Sequence, residues 1–235
     1  MASSTSAFYS RTEDLLEHLP VSSTSVYGKG DMIYGPNNPS NSIYLVLAGM
    51  VGISQISADG GEVLLVIVGP DELFGESAFL DVPRRPERAF AIERASVMAW
   101  PISDIEGLVT KRPRLAVALL QVLAQRNAEF TRRIESLATE SVERRLARSL
   151  LRFSERLGSP EDDGSVRMMP FTHEMLSQYV GTTREVITQY MNRFRKHGYV
   201  SYSRRGINLY REPLSIMLAA TSSCATDALA NNVPL

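Results

Sequence analysis

The chain has 235 residues, 44% hydrophobic and 22% charged, a balance that suits a globular protein with length enough for two ordinary domains. No apolar run reaches the roughly 18 residues of a membrane helix, and MASSTSAFYSRTEDLL lacks the apolar core of a secretory signal, so a cytoplasmic protein without membrane contact is expected. One cysteine, Cys224, excludes an intramolecular disulfide or a cysteine-based metal cluster; the net charge of −1 conceals 8 Lys/Arg against 2 Asp/Glu in residues 166–211 and 17 against 24 elsewhere.

In chain order, residues 8–19, FYSRTEDLLEHL, pattern as a short amphipathic helix that packs on the edge of the β-rich segment after it. Residues 26 to about 100 read as all-β. SIYLVLAG, VGISQI and EVLLVIV are strands, and Ala58-Asp59-Gly60-Gly61 is the hairpin turn between the last two. Short strands punctuated by glycines point to a barrel or roll rather than a parallel sheet. Within it, LFGESAFLDVPRRPERAFAIE sets Glu76 after Gly75 and places Arg88 directly before a strand. A carboxylate and a guanidinium joined by a turn form either a surface ion pair or the two sides of a polar ligand site.

At Pro113 the period changes. Leu120, Leu123, Asn127, Phe130, Ile134 and Leu137 recur at spacing three and four over roughly five turns, a coiled-coil seam in which Asn127 fixes register and favours a dimer. Charged Arg126, Glu129, Arg132, Arg133 and Glu135 on the other faces favour the seam over a helix packed on its own roll. A second helix runs from about Val142 to Leu157, followed by the polar loop GSPEDDGS. The expected organisation is 8–112 roll, 113–139 dimerisation helix, 140–212 C-terminal domain and 213–235 flexible tail, with the domain boundary near Thr139 to Ser141.

The basic block reads FTHEMLSQYVGTTREVITQYMNRFRKHGYVSYSRRGINLY. Thr172 caps one helix with Met175, Leu176 and Tyr179 inward, Gly181 supplies the positive φ of a tight corner, and Thr183 caps a second helix. That helix is expected to face the core with Val186, Ile187, Tyr190 and Phe194 and to end at Gly198. Its first turn exposes Arg184, Glu185, Thr188 and Gln189. Arg184 can donate to guanine O6 and N7, and Glu185 can accept from cytosine N4. Thr172, Thr183 and the wing arginines Arg204 and Arg205 are placed to bond phosphates. A small helical domain with a surface Arg–Glu pair is the plain alternative; the glycine turn, paired caps, wing and charge together speak against it.

The segment GTTREVITQYMNRFRKHGYVSYSRRGINL resembles the winged helix-turn-helix of the cyclic-AMP receptor protein and fumarate–nitrate regulator (CRP/FNR) superfamily, and the likeness extends over residues 15–211. The resemblance implies an α+β fold: an N-terminal β-roll cyclic-nucleotide-binding domain, a long dimerisation helix and a C-terminal winged helix-turn-helix. Arg184 and Glu185 match the pair that reads a TGTGA-type half-site, and Gln189 replaces a second base-reading arginine. The stretch from Phe74 is similar to the family's phosphate-binding cassette. Gly75 would let the backbone approach the sugar phosphate, Glu76 would accept from the ribose 2′-hydroxyl, and Arg88 would neutralise the cyclic phosphate. Backbone N–H groups near Ser77 and Ala89 would complete the anion site. The family's loop is shorter than LDVPRRPE, which adds Arg84 and Arg85, and Ala89 stands where a serine or threonine is frequent. On the long helix, Thr131 falls near the base, with Phe130 beside it and Arg126 facing the pocket one turn earlier.

The function so implied is a homodimeric transcription regulator of a palindromic DNA site, gated by a cyclic nucleotide, cAMP foremost, with RNA polymerase as a further partner. Its rivals are a ligand-independent regulator, one responding to cGMP or cyclic di-GMP, and a nucleotide-sensing module acting on a protein partner. Haem is not expected, because His18, His173 and His197 lie outside the roll. An enzyme is not expected either: the sequence has no Ser/His/Asp set, metal-ligand spacing or P-loop.

Overall fold

Eight short strands, β1 (Thr24–Tyr27), β2 (Met32–Tyr34), β3 (Ser42–Ala48), β4 (Val51–Ile56), β5 (Glu62–Val68), β6 (Leu73–Phe74), β7 (Arg88–Ala91) and β8 (Ala95–Pro101), build two antiparallel sheets in the computed structural model, which describes residues 19–203 and 206–219. The expected helix over 8–19, apart from Leu19, the wing tip Arg204–Arg205 and Cys224 lie outside the described residues. The sheets run β1-β8-β3-β6 and β2-β7-β4-β5, the antiparallel roll that the glycine-spaced strands predict. The β4–β5 hairpin turns where expected, with Ser57 N donating to Gly61 O at 2.8 Å and Gly60 at φ 86°.

Alternation along β3 assigns the two cores. Val46 points into the roll with Val51, Val68, Phe74 and Val97, while Ile43 and Leu45 point out against Trp100 and two helices. Those helices are α1 (Ile102–Lys111), which periodicity did not single out, and the first turns of α2 (Pro113–Thr139), through Ile105, Leu115 and Leu119. A short 3₁₀ helix, Glu76–Leu80, follows β6.

The chain divides into two compact units between Arg133 and Ile134, within α2. Helicity ends at Thr139, and α3 (Val142–Leu157) starts afresh with Ser141 as its cap, accepting from Arg144 N at 3.4 Å. The polar loop is partly strand: β9 (Ser159–Pro160) pairs with β10 (Val166–Met168), because Asp163 accepts from the Ser165 N–H at 2.9 Å and folds the acidic turn into a hairpin. Then come α4 (His173–Val180), α5 (Arg184–Lys196), β11 (Val200–Ser203) and β12 (Gly206–Leu209), the strands forming a sheet in the order β11-β12-β10-β9. Residues 211–219 are helical, with Leu214 fully buried, which corrects the expectation of a flexible tail for residues 213–219. Among the described residues no helix is long and apolar enough to cross a membrane.

Candidate functional site

Among the described residues, the side chains singled out in the sequence fall at two places, one in each unit. In the roll, Gly75 adopts φ 85° and starts the 3₁₀ helix. A Cβ there would lie 2.9 Å from the Tyr44 ring and 3.1 Å from Arg85 Nη1, so both the conformation and the crowding demand glycine. Glu76, at the head of that helix, accepts from Arg126 Nη1 at 2.7 Å, and Arg126 Nη2 donates to Leu73 O at 3.0 Å. Arg126 does face this turn, as expected, and holds its carboxylate.

Arg88 is not brought to Glu76, which corrects its assignment as the anion-binding arginine. In β7 the buried Ala89 and Ala91 face the roll core, so the pleat sends Arg88 and Phe90 to the opposite side. There Arg88 Nε bonds Ser54 Oγ and Glu62 Oε1, each at 3.0 Å, and the guanidinium lies 5.4 Å from the Phe90 ring. Buried Ala89 pairs with Ile53 as a packing residue. Phe130 and Thr131 are exposed, and the Thr131 hydroxyl donates back to Asn127 O at 3.0 Å.

The arginine at the Gly75–Ser77 turn is Arg85, whose side chain is fully buried. Its Nη1 donates to Gly75 O at 2.7 Å and to Ser77 Oγ at 2.9 Å, and Nη2 bonds Ser42 O. The guanidinium lies 4.3 Å over the Tyr34 ring. Arg85 Nε is buried with no hydrogen-bond partner. Glu87 sits beside it, accepting from Ser77 Oγ at 2.7 Å and from Tyr34 OH at 3.1 Å. Burial, reinforced by the Glu87 charge, pushes the Tyr34 phenol far above its ordinary range. Tyr34, Tyr44 and Phe74, with ring centroids 5.1 to 6.1 Å apart, fill the roll on this side. Beyond them a recess of about 20 Å³ between Phe79, Leu119, Leu123 and Arg126 has room for about one water. The signal for Arg85 was present in the sequence as an extra arginine in the loop; strand adjacency pointed instead to Arg88, which lies away from this turn.

The second place is the α4–α5 corner. Thr172 accepts from Met175 N at 3.1 Å and Thr183 from Val186 N at 3.4 Å, the two expected caps. Gly181, at φ 75°, closes α4 through its N–H to Ser177 O at 2.9 Å. Arg145 of α3, which sequence reasoning did not single out, donates to Val180 O at 3.1 Å and Gly181 O at 3.2 Å, satisfying carbonyls the corner leaves open. The buried stripe of α5 is Ile187, Met191 and Phe194; Val186 and Tyr190, expected inward, are only half-buried. Positions three and four beyond Ile187 share its helical face, and the structure buries the second of them, Met191.

This packing leaves Arg184, Glu185 and Gln189 exposed along the first turns of α5. Thr188 is half-buried: its hydroxyl donates to Arg184 O at 2.9 Å and lies 2.8 Å from His173 Nδ1. Glu185 is fully exposed, and its own backbone N–H, with the Thr183 hydroxyl, holds its carboxyl below the usual range. It therefore remains an ionised acceptor beside an ionised donor. No group of three or more His, Cys, Asp or Glu among the described residues could hold a metal ion.

Two family models match the chain, a cyclic nucleotide-binding domain over residues 24–112 and a Crp-like helix-turn-helix domain over 144–213. The transcriptional regulator SdrP of Thermus thermophilus is 33% identical over 183 residues, 77% of this chain and 86% of its own length. A CRP-like cAMP-activated global transcriptional regulator of Mycobacterium tuberculosis is 27% identical over 182 residues, 77% and 81% of the two chains. Among solved structures, a transcriptional regulator of the CRP/FNR family from Thermus thermophilus superposes with a TM-score of 0.65 at 30% identity, covering 84% of this chain and 98% of that one.

Proposed function

Because the chain belongs to the CRP/FNR family of DNA-binding transcription regulators, we propose that it acts as a homodimer on a palindromic TGTGA-type duplex and that a cyclic nucleotide bound in the roll sets its affinity for that duplex. The observation that carries the DNA reading is the exposed pair Arg184–Glu185 on a doubly capped, tightly packed helix: a donor fork and an ionised acceptor held on rigid backbone. Leu120, Ile134 and Leu137 of α2 are 64%, 67% and 45% exposed, apolar area that a second copy would bury and that supports the dimer. Two α5 helices in one dimer would enter successive major grooves roughly 34 Å apart.

Glu76 and Arg85, on either side of the Gly75–Ser77 turn, are the acid and base suited to a ribose hydroxyl and a cyclic phosphate. A nucleotide taking Glu76 would displace Arg126 and so act on α2. The cAMP-activated relative supports cAMP as the ligand.

A second reading, DNA binding that needs no nucleotide, is favoured by one feature: Arg126 and the internal bonds of Arg85 already satisfy the turn. Fluorescence anisotropy on a labelled TGTGA palindrome, with and without cAMP, separates the two. Tighter binding with cAMP supports gating. Equal affinity at saturating cAMP, with no heat of binding in calorimetry, leaves the nucleotide-independent reading.

A further inference from the structure

One titratable side chain of the second unit is not absorbed by that reading. His173, half-buried at the first turn of α4, stands between α5 and β11: Nδ1 is 2.8 Å from Thr188 Oγ1, and Nε2 is 3.5 Å from Tyr202 OH, a long contact. The Thr188 hydroxyl hydrogen is already given to Arg184 O, so toward His173 this oxygen can only accept. The network therefore places the ring proton on Nδ1 and leaves Nε2 as a lone pair in the notch between the base-reading helix and the wing. The charged and titratable groups facing the ring are Arg184 from α5 and Tyr202 from β11; Arg195 of α5 acts on Tyr202 in turn. Burial, with the Arg184 charge second, holds His173 below the ordinary histidine range, which favours the neutral ring in the free protein.

We propose that His173 is a positioning residue of the DNA reader and a proton-linked phosphate contact: its Nδ1–H orients Thr188 on α5, and its Nε2 takes up one proton from solvent and donates it to a DNA phosphate when duplex binds. This rests on α5 being the DNA-reading helix. The chemistry is that of a histidine meeting a polyanion. A phosphate at hydrogen-bond distance favours imidazolium and raises the bound-state pKa above the depressed free one. The sign comes from linkage: the bound state holds more protons, so affinity rises as pH falls from the bound pKa to the free pKa and is flat outside that window. Tyr202 loses its acceptor as Nε2 protonates, freeing its hydroxyl for the duplex.

The test is duplex affinity across about pH 5.5 to 8.5, which brackets the ordinary histidine value of about 6.5, for wild type and His173→Gln. Calorimetry of the wild type in two buffers of different ionisation heat counts protons taken up. Wild type is expected to tighten by up to about tenfold per pH unit within the window, with up to one proton absorbed. His173→Gln, which keeps a donor and an acceptor but has no titrating ring, is expected to lose the slope. A slope retained in His173→Gln, or no buffer-dependent heat in wild type, overturns the proposal while leaving the DNA reading intact. Wild type that binds no duplex at any pH contradicts that reading and the proposal together.

Discussion

At the scale of single residues, the choice of arginine in the roll is decided by the pleat. Arg88 precedes its strand directly, which marks it in the sequence, yet one-residue alternation in β7 sends it to Glu62 and gives the interior to Ala89. Arg85 lies in the loop, free of that alternation, and turns into the roll beneath Gly75. The consequence is a reversal of expected phenotypes. Arg88→Ala is expected to keep a cAMP response in the anisotropy assay. Arg85→Lys, which retains the charge but loses the fork, is expected to weaken it by at least about tenfold, roughly one lost charge-assisted bond. The opposite pattern would restore Arg88 to the site. On α5, Arg184→Ala is expected to cost about 1–3 kcal/mol of duplex affinity and to relax preference at one base pair, read by competition with substituted half-sites.

At the scale of elements, the strands of the roll, the capped helices and the glycine corner were legible because each has a local cause: alternation, a hydroxyl before an apolar run, a residue free to take positive φ. What was not legible depended on partners far along the chain. Tyr190 and Met191 are equally plausible inward residues by period, and only packing of α5, which lies against α4 and β11, selects Met191. Arg126 could be placed near the pocket from the sequence, whereas its bond to Glu76 spans 50 positions.

The junction of α2 and α3 offers an element-scale prediction. Burial alone would raise the Glu140 carboxyl, but bonds from Arg148 and Ser136, with the Arg148 and Arg144 charges, outweigh it and hold it below the usual range. A depressed folded-state value means its contribution is present above the unfolded value of about 4.3 and is lost as pH falls through the folded one. Glu140→Gln is therefore expected to lower the melting temperature at neutral pH, with the difference from wild type vanishing in acid.

At the scale of the whole molecule, the proposed assembly of two copies on one duplex would use both the apolar side chains exposed on α2 and the basic block of an otherwise acidic chain. Ile134→Lys puts a charge into that stripe and is expected to give a monomer in sedimentation, with duplex affinity reduced by two or more orders of magnitude as the second half-site is lost. The most direct measurement is the affinity of the wild-type protein for a palindromic duplex, for one with a single half-site scrambled, and for random duplex, over a range of salt. Two chains per palindrome, affinity that falls from palindrome to single half-site to random duplex, and a steep loss of affinity with salt are predicted. Equal affinity for all three duplexes, or binding unmoved by salt, would contradict the account.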